Sequence, residues 1–303
     1  MPNKHLTFRY DEVSFEFEID SREEIISKNI ESTGCWEKNQ LCLYKDLIGK
    51  SGVFVDIGAN VGINSIFAKH SLPMARVIAV EPEPQNFATL ARNVGRSGIE
   101  LHNLAIAATD GEIGFAGTGT NAHLTSDADA IKVPCVTLDG FTQPIEHIDL
   151  MKIDVEGFTD LVLSEAGATL PRVDNIIIEF SYGDIELRLR SLGHDHFTRS
   201  DVIAHSEELF DALRPHFKHF YYISRSAGLI EMQDTKDLFE IMLIEAAVGD
   251  ILATKAPVKE SISDRAFAFG AILELKQHNH LRMAEIQVLY NRIDKLEAHT
   301  SHN

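Results

Sequence analysis

The chain has 303 residues, of which 44% are hydrophobic and 24% charged, and its formal net charge is −18. That length suits one large α/β domain with an appendage. With no Lys/Arg cluster to offset the negative charge, a nucleic-acid partner is not expected. No run of about 18 uncharged apolar residues predicts a membrane span.

The first residues, MPNKHLTFRYDEV, lack the apolar core and small-residue cleavage site of a signal peptide. Cys35, Cys42 and Cys135 include no C-x-x-C pair, which fits a reducing, cytoplasmic setting rather than a disulfide scaffold. From Leu6 to Ile19 the alternation of Val13, Phe15, Phe17 and Ile19 with polar residues predicts a hairpin turning at Asp11-Glu12. A helix is expected from about Trp36 to Ile48.

From Gly52 onward the pattern is strand, turn, helix, repeated. Strands are predicted at Val53–Val55, Arg76–Val80, Glu100–Ala107, Asp149–Ile153 and Asn175–Phe180, with helices at Ile63–His70 and Pro84–Val94. Continuous apolar runs such as Ile176-Ile177-Ile178 suit a parallel sheet covered on both faces, so the fold class is a doubly wound α/β sheet. The stretch Gly111 to Phe141 reads as a hairpin insert with a mobile Gly/Thr-rich tip. Two last strands are expected at Phe220–Ile223 and Phe239–Ile244. Residues Ile272 to Leu296 carry an interrupted heptad seam: a helix that lies on its own domain or pairs chains into a homo-oligomer. The organisation read is a lead-in over 1–35, a core domain over 36–249 and a helical tail over 250–303.

Five segments carry chemistry. In VFVDIGANVGINS a buried strand ends at Asp56 and runs into a turn holding Gly58 and Gly62, then a helix whose N-terminus presents unpaired N–H groups. In IAVEPEP, Glu81 closes the next strand, where a carboxylate can accept both hydroxyl protons of a ribose. Asn60 stands where a dinucleotide fingerprint needs its second Gly, which disfavours a pyrophosphate. An acid such as Asp56 suits instead a cofactor with an amino-acid portion and a sulfonium, S-adenosylmethionine. Asn103, near the end of the third strand, has the donor and acceptor to meet an adenine edge. Strand four ends in Asp154 and Glu156, and strand five in Glu179, on the same crevice edge.

These segments, with VTLDGF and MKIDVEGF in the same order, resemble the FkbM family of methyltransferases over about residues 36 to 245. The resemblance implies a seven-stranded class I methyltransferase sheet with its last strand antiparallel. It implies S-adenosylmethionine as methyl donor and a hydroxyl acceptor on a sugar, glycan or related natural product. By motif, Asp56, Gly58, Ala59, Asn60 and Gly62 would hold the methionine end, Glu81 with Pro82 the ribose, Asn103 the adenine side, and Asp154 would close the site. The chain departs from the family at Thr159, where another acid is usual, and in LVLSEAGATL.

An alcohol needs a base as it attacks, and His123, Asp154 and Glu179 are the candidates. Asp154 and Glu179 could also hold Mg²⁺ beside a diol, although no metal-ligand spacing marks a resident metal; His194 and His196 read as solvated. Two other readings remain: an NAD-dependent oxidoreductase on the same fold, and a non-enzymatic module assembled through Ile272 to Leu296.

Overall fold

The structure is a computed structural model that describes residues 3–21, 23–116, 123–124, 130–194, 196, 198–224, 228–232 and 248–258. It opens with the hairpin β1 (Lys4–Tyr10) and β2 (Val13–Ile19), turning at Asp11 in a left-handed conformation (φ 55°). Next come α1 (Glu24–Thr33), α2 (Lys38–Leu41) and α3 (Tyr44–Ile48). The single helix expected from Trp36 to Ile48 is thus two short ones, separated at Cys42 and Leu43.

The alternating part follows: β3 (Val53–Ile57), α4 (Ile63–Ser71), β4 (Arg76–Val80), α5 (Pro84–Val94) and β5 (Glu100–His102). The strand expected over Glu100–Ala107 breaks at Asn103. Its second part, β6 (Ala105–Ile106), leaves the main sheet and joins a small one with β7 (Gly111–Ala116), β8 (His123–Leu124) and β9 (Ile131–Val136), in the order β6-β9-β7-β8. The tip of the insert lies outside the described residues.

The chain then returns through α6 (Leu138–Thr142), β10 (Ile148–Ile153), α7 (Thr159–Leu163), β11 (Val173–Ser181), α8 (Tyr182–Ser191) and α9 (Arg199–Leu213). It closes with β12 (His219–Ser224), β13 (Gly228–Met232) and β14 (Val248–Thr254).

The main sheet runs β13-β12-β14-β11-β10-β3-β4-β5. Strands β3, β4, β5, β10 and β11 are parallel to their neighbours in this series, while β14 is antiparallel to both β11 and β12. The chain winds outward from β3 to β5, then crosses back to the other side of β3, so the order reverses between β3 and β10. Ligands in open α/β sheets bind beyond the strand ends at such a point.

The strand count differs from the expectation. The described sheet has eight strands rather than seven, because β13 folds back as an antiparallel edge strand beside β12. The inserted antiparallel strand is β14, whereas the expected strand Phe239–Ile244 lies outside the described residues, as does the heptad seam. Strand β14 also runs across the expected boundary at 249/250. Ile251 and Ala253 enter the core on one face of the sheet and Leu252 on the other.

Apolar residues of β1 and β2 pack in one cluster with Phe54 and Phe67, so the hairpin is part of the core beneath one face of the sheet. Phe8 is fully buried, stacked on Phe15 at 4.7 Å and tilted against Phe67 at 5.9 Å. Truncating it leaves a cavity that its stiff neighbours cannot fill. Phe8→Ala is expected to cost about 3–5 kcal/mol, read as a lower denaturant midpoint for the whole domain.

Candidate cofactor and acceptor cleft

A cleft of about 500 Å³ opens at the carboxyl ends of β3, β4, β10 and β11. One half is built by the turn after β3. Gly58 takes φ 84°, and a Cβ there would stand 1.7 Å from the Asp154 carbonyl oxygen, so side-chain-free backbone is required. The N–H groups of Gly58 and Ala59 both donate to the Val80 carbonyl at 2.9 Å, which ties the turn to β4. Asn60 is also left-handed (φ 49°), and its N–H donates to Glu81 Oε2 at 2.8 Å. Gly62 (φ 92°) caps α4, and a Cβ on it would meet Leu90 Cδ1 at 2.4 Å.

Glu81 is 4% exposed. Its Oε1 accepts the Glu83 N–H at 2.8 Å, so two backbone donors fix the carboxylate at the cleft wall. Burial raises its pKa to about 7 against the pull of those N–H groups. Asn60 Oδ1 is buried and accepts no hydrogen bond, an acceptor waiting for a donor in the turn that lines the cleft. Pro82, Leu104, Ala105, Ile106 and Phe115 supply apolar wall.

Two expected contacts fall elsewhere. Asn103 stands at the rim: its amide donates to the carbonyls of Glu81 at 2.8 Å and Pro82 at 3.1 Å, so it shapes the β4 turn. Asp56 is fully buried behind the turn and accepts from Ser65 Oγ at 2.6 Å. Burial raises its pKa to about 6, opposed by Lys152 and that hydrogen bond. It sits inside β3, one position before the strand ends, and so points under the loop. His123 lies on β8, in register with Ala116.

The other half of the cleft is lined by acids. Strand register explains this: β10 sets Lys152 opposite Asp56 on β3, and β11 and β14 pair Glu179 with Asp250. Lys152 is 1% exposed and fully enclosed. Its Nζ lies 2.5 Å from Asp154 Oδ2 and 3.8 Å from Glu37 Oε2. Burial would lower its pKa, but Asp154, Glu37 and Asp56 hold it well above the ordinary lysine value. Burial would raise Asp154, and the Lys152 charge with a hydrogen bond from Glu179 outweighs that, leaving Asp154 below the usual carboxylate range. Glu37 also accepts from Asn64 Nδ2 at 2.9 Å, and Tyr44 OH donates to Asn64 Oδ1 at 2.7 Å, so the chain before α2 is latched to α4. Glu37 holds φ 49°, a costly conformation for a residue with a Cβ that the latch maintains.

Among the described residues, Asp154, Glu156 and Glu179 bring carboxylate oxygens within 4.8 Å of one another, a spacing compatible with a cation. The Lys152 ammonium already takes one of the Asp154 oxygens. Ile25, Asn29, Trp36 and Lys38 also line the cleft. Sequence reasoning missed Lys152, Glu37 and Asp250. A lysine inside the apolar strand IDLMKI was the available signal, since a buried cation needs partners.

Removing Lys152 leaves buried carboxylates uncompensated. Lys152→Met is expected to cost roughly 3–5 kcal/mol at pH 8 in denaturant titration, and the deficit should shrink towards pH 5 as those acids take up protons.

Among the described residues, no helix is long and apolar enough to cross a membrane. The Methyltransferase FkbM domain model matches residues 56–222, more than half of the chain. "Methyltransferase 1" of Beauveria bassiana (strain ARSEF 2860) is 24% identical over 163 residues, taking in 43% of this chain and 66% of that protein. The chain therefore spans just under two thirds of that relative's length. Solved structures are more distant. The precorrin-6y C5,15-methyltransferase of Geobacter metallireducens GS-15 is 15% identical, with 72% of this chain and 87% of that one covered at a TM-score of 0.37. The plantazolicin methyltransferase BpumL with S-adenosylhomocysteine is 13% identical, with 78% and 87% covered at 0.40. The residues matched, 56 to 222, run from Asp56 in β3 to the buried Tyr222 of β12, and over that span the chain belongs to the FkbM methyltransferase domain family.

Proposed function

We propose that this chain transfers a methyl group from S-adenosylmethionine to a hydroxyl oxygen on a sugar, glycan or related natural product. One observation carries the reading: at the point where strand order reverses, the Gly58–Asn60 turn and the Glu81 carboxylate are locked together by the Asn60 N–H. The residues present suit the cofactor. Glu81 presents a carboxylate at the cleft wall that suits a ribose hydroxyl, the orphaned Asn60 Oδ1 suits an ammonium donor, and Pro82 with Leu104 to Ile106 offers an apolar seat for a base. When bound, the cofactor supplies an electrophilic methyl on a positive sulfur, so that a carbon–oxygen bond forms as the carbon–sulfur bond breaks, with release of the acceptor's proton.

The chain's own part is alignment, charge and exclusion of water. Lys152 keeps Asp154 ionised beside the cleft, and the carboxylates around it suit the positive cofactor and reject an anionic acceptor. Trp36 offers a flat face and Glu179 a hydrogen-bonding edge, the pairing that recognises a hydroxyl-bearing ring. Ile25, Asn29, Trp36 and Glu37 precede the family match, so acceptor choice belongs in part to the N-terminal segment. A cytoplasmic setting belongs to the same reading, and the three cysteines are free thiols.

Calorimetric titration with S-adenosylhomocysteine tests it: binding is expected, whereas heat with NAD alone would reverse the assignment. Glu81→Ala should weaken that binding by about 1–3 kcal/mol through loss of charged hydrogen bonds. Because burial raises Glu81 to about 7 and the ionised form is the full acceptor, affinity should fall as pH drops below about 7 and level off above it. A flat profile from pH 5.5 to 8.5 would remove Glu81 from the ribose.

A further inference from the structure

We infer that the α2 end of the cleft is the subsite for the methyl acceptor, that the amide oxygens of Asn39 and Gln40 receive a protonated amine there, and that the acceptor is an amino sugar. This rests on the methyltransferase reading and deepens it by naming the substrate class.

The order of the strands spreads the cleft walls across the sheet. Glu81 follows β4, the Gly58 turn follows β3, Asp154 follows β10, and Glu179, Asp250 and Ile223 lie on β11, β14 and β12. Adjacent strands stand about 4.8 Å apart, so four spacings put β12 roughly 19 Å from β3. The Gly58 turn and Glu81 hold one end of this span. At the other end Glu37, Asn39 and Gln40 line the cleft together with Ile223, Gly249 and Asp250. All six lie outside the family match at 56–222, so membership of the family says nothing of what this end binds.

This end carries unmet hydrogen bonds. Asn39 Nδ2 donates to the Ser224 carbonyl at 3.0 Å, which fixes the amide and leaves its Oδ1 buried with no donor among the described residues. Gln40 is 1% exposed. Its amide faces Asp250 outside hydrogen-bond geometry, and its Oε1 also has no donor among the described residues. A buried amide without partners costs stability, and native proteins keep few of them. Two on consecutive residues, both in a cleft wall, mark a place that a ligand completes.

The surroundings select the ligand. Besides the two amide oxygens, this end holds the carboxyl groups of Glu37 and Asp250, with Glu179 in register beside Asp250. The lysines lining the cleft are Lys38 and Lys152, and Lys152 is engaged by Asp154 at 2.5 Å. A hydroxyl donates one hydrogen bond and sets its own lone pairs against these oxygens. An ammonium donates three and brings no lone pair, and its charge strengthens each bond. A carboxylate or phosphate on the acceptor would be repelled.

Two measurements on the full chain test this. The first is calorimetry on protein saturated with S-adenosylhomocysteine, with glucosamine, glucose and N-acetylglucosamine as probes. Glucosamine is expected to bind about tenfold tighter than either uncharged sugar, and Gln40→Met should remove most of that preference while S-adenosylhomocysteine affinity stays within about twofold. The second is denaturant unfolding of Gln40→Met without ligand. Because the amide oxygen is unsatisfied in the free protein, the midpoint should stay level or rise. A lowered midpoint would make Gln40 a structural residue and overturn the assignment. So would glucosamine that fails to bind, glucosamine that binds no better than the uncharged sugars, or a preference that survives in Gln40→Met. If the variant does not fold, the assignment falls by the second measurement. Absence of S-adenosylhomocysteine binding would instead overturn the methyltransferase reading, and the same three sugars titrated into the unloaded chain would then decide the subsite.

Discussion

One buried ammonium organises the functional end of this protein. Lys152 lies fully enclosed where strand order reverses, with Asp154 at 2.5 Å, Glu37 at 3.8 Å and Asp56 in register on the neighbouring strand. An isolated charge at that depth is strongly disfavoured, and so is each acid without the lysine. Together they persist, and the sharing sets their protonation. Asp154 stays ionised, whereas Asp56 and Asp250, which see more burial than compensation, are raised to about 6 and about 7. A cleft with more carboxylates than cations is therefore poised for a positive ligand.

The same ammonium joins two parts of the chain that are distant in sequence. Through Glu37 it reaches the segment before α2, and Glu37 is latched to α4 by Asn64 and Tyr44. The N-terminal hairpin fills the core under the same face with Phe8, Phe15 and Phe17. Residues ahead of the family match thus form wall and foundation at once: β1 and β2 support the sheet, and Trp36 and Glu37 border the cleft. A fold shared across a family needs such variable borders to select among acceptors, since the cofactor half is occupied by common chemistry.

Much of the turn after β3 was legible in the linear pattern. Gly58 to Gly62 and Glu81 stand out because a tight turn demands glycine or left-handed backbone, and a strand-end acid beside it has few structural uses. The individual roles were less legible. Asn103 has the right chemistry for an adenine edge, but its amide is spent on the carbonyls of Glu81 and Pro82, a tie that exists only once β4 and β5 lie side by side. Asp56 reads as a ligand because it nearly closes its strand, yet strand alternation turns it beneath the loop, towards Ser65.

Periodicity, turn residues and composition by themselves determined the doubly wound sheet, the hairpin and the glycine turn, because each depends on neighbours a few residues apart. Tertiary structure alone decided that Lys152 is buried, that Glu37 answers it, that β14 enters beside β11 and that Asp250 stands opposite Glu179. Those outcomes depend on strand order and register between segments up to 200 or so residues apart, and on how much water the assembled walls exclude.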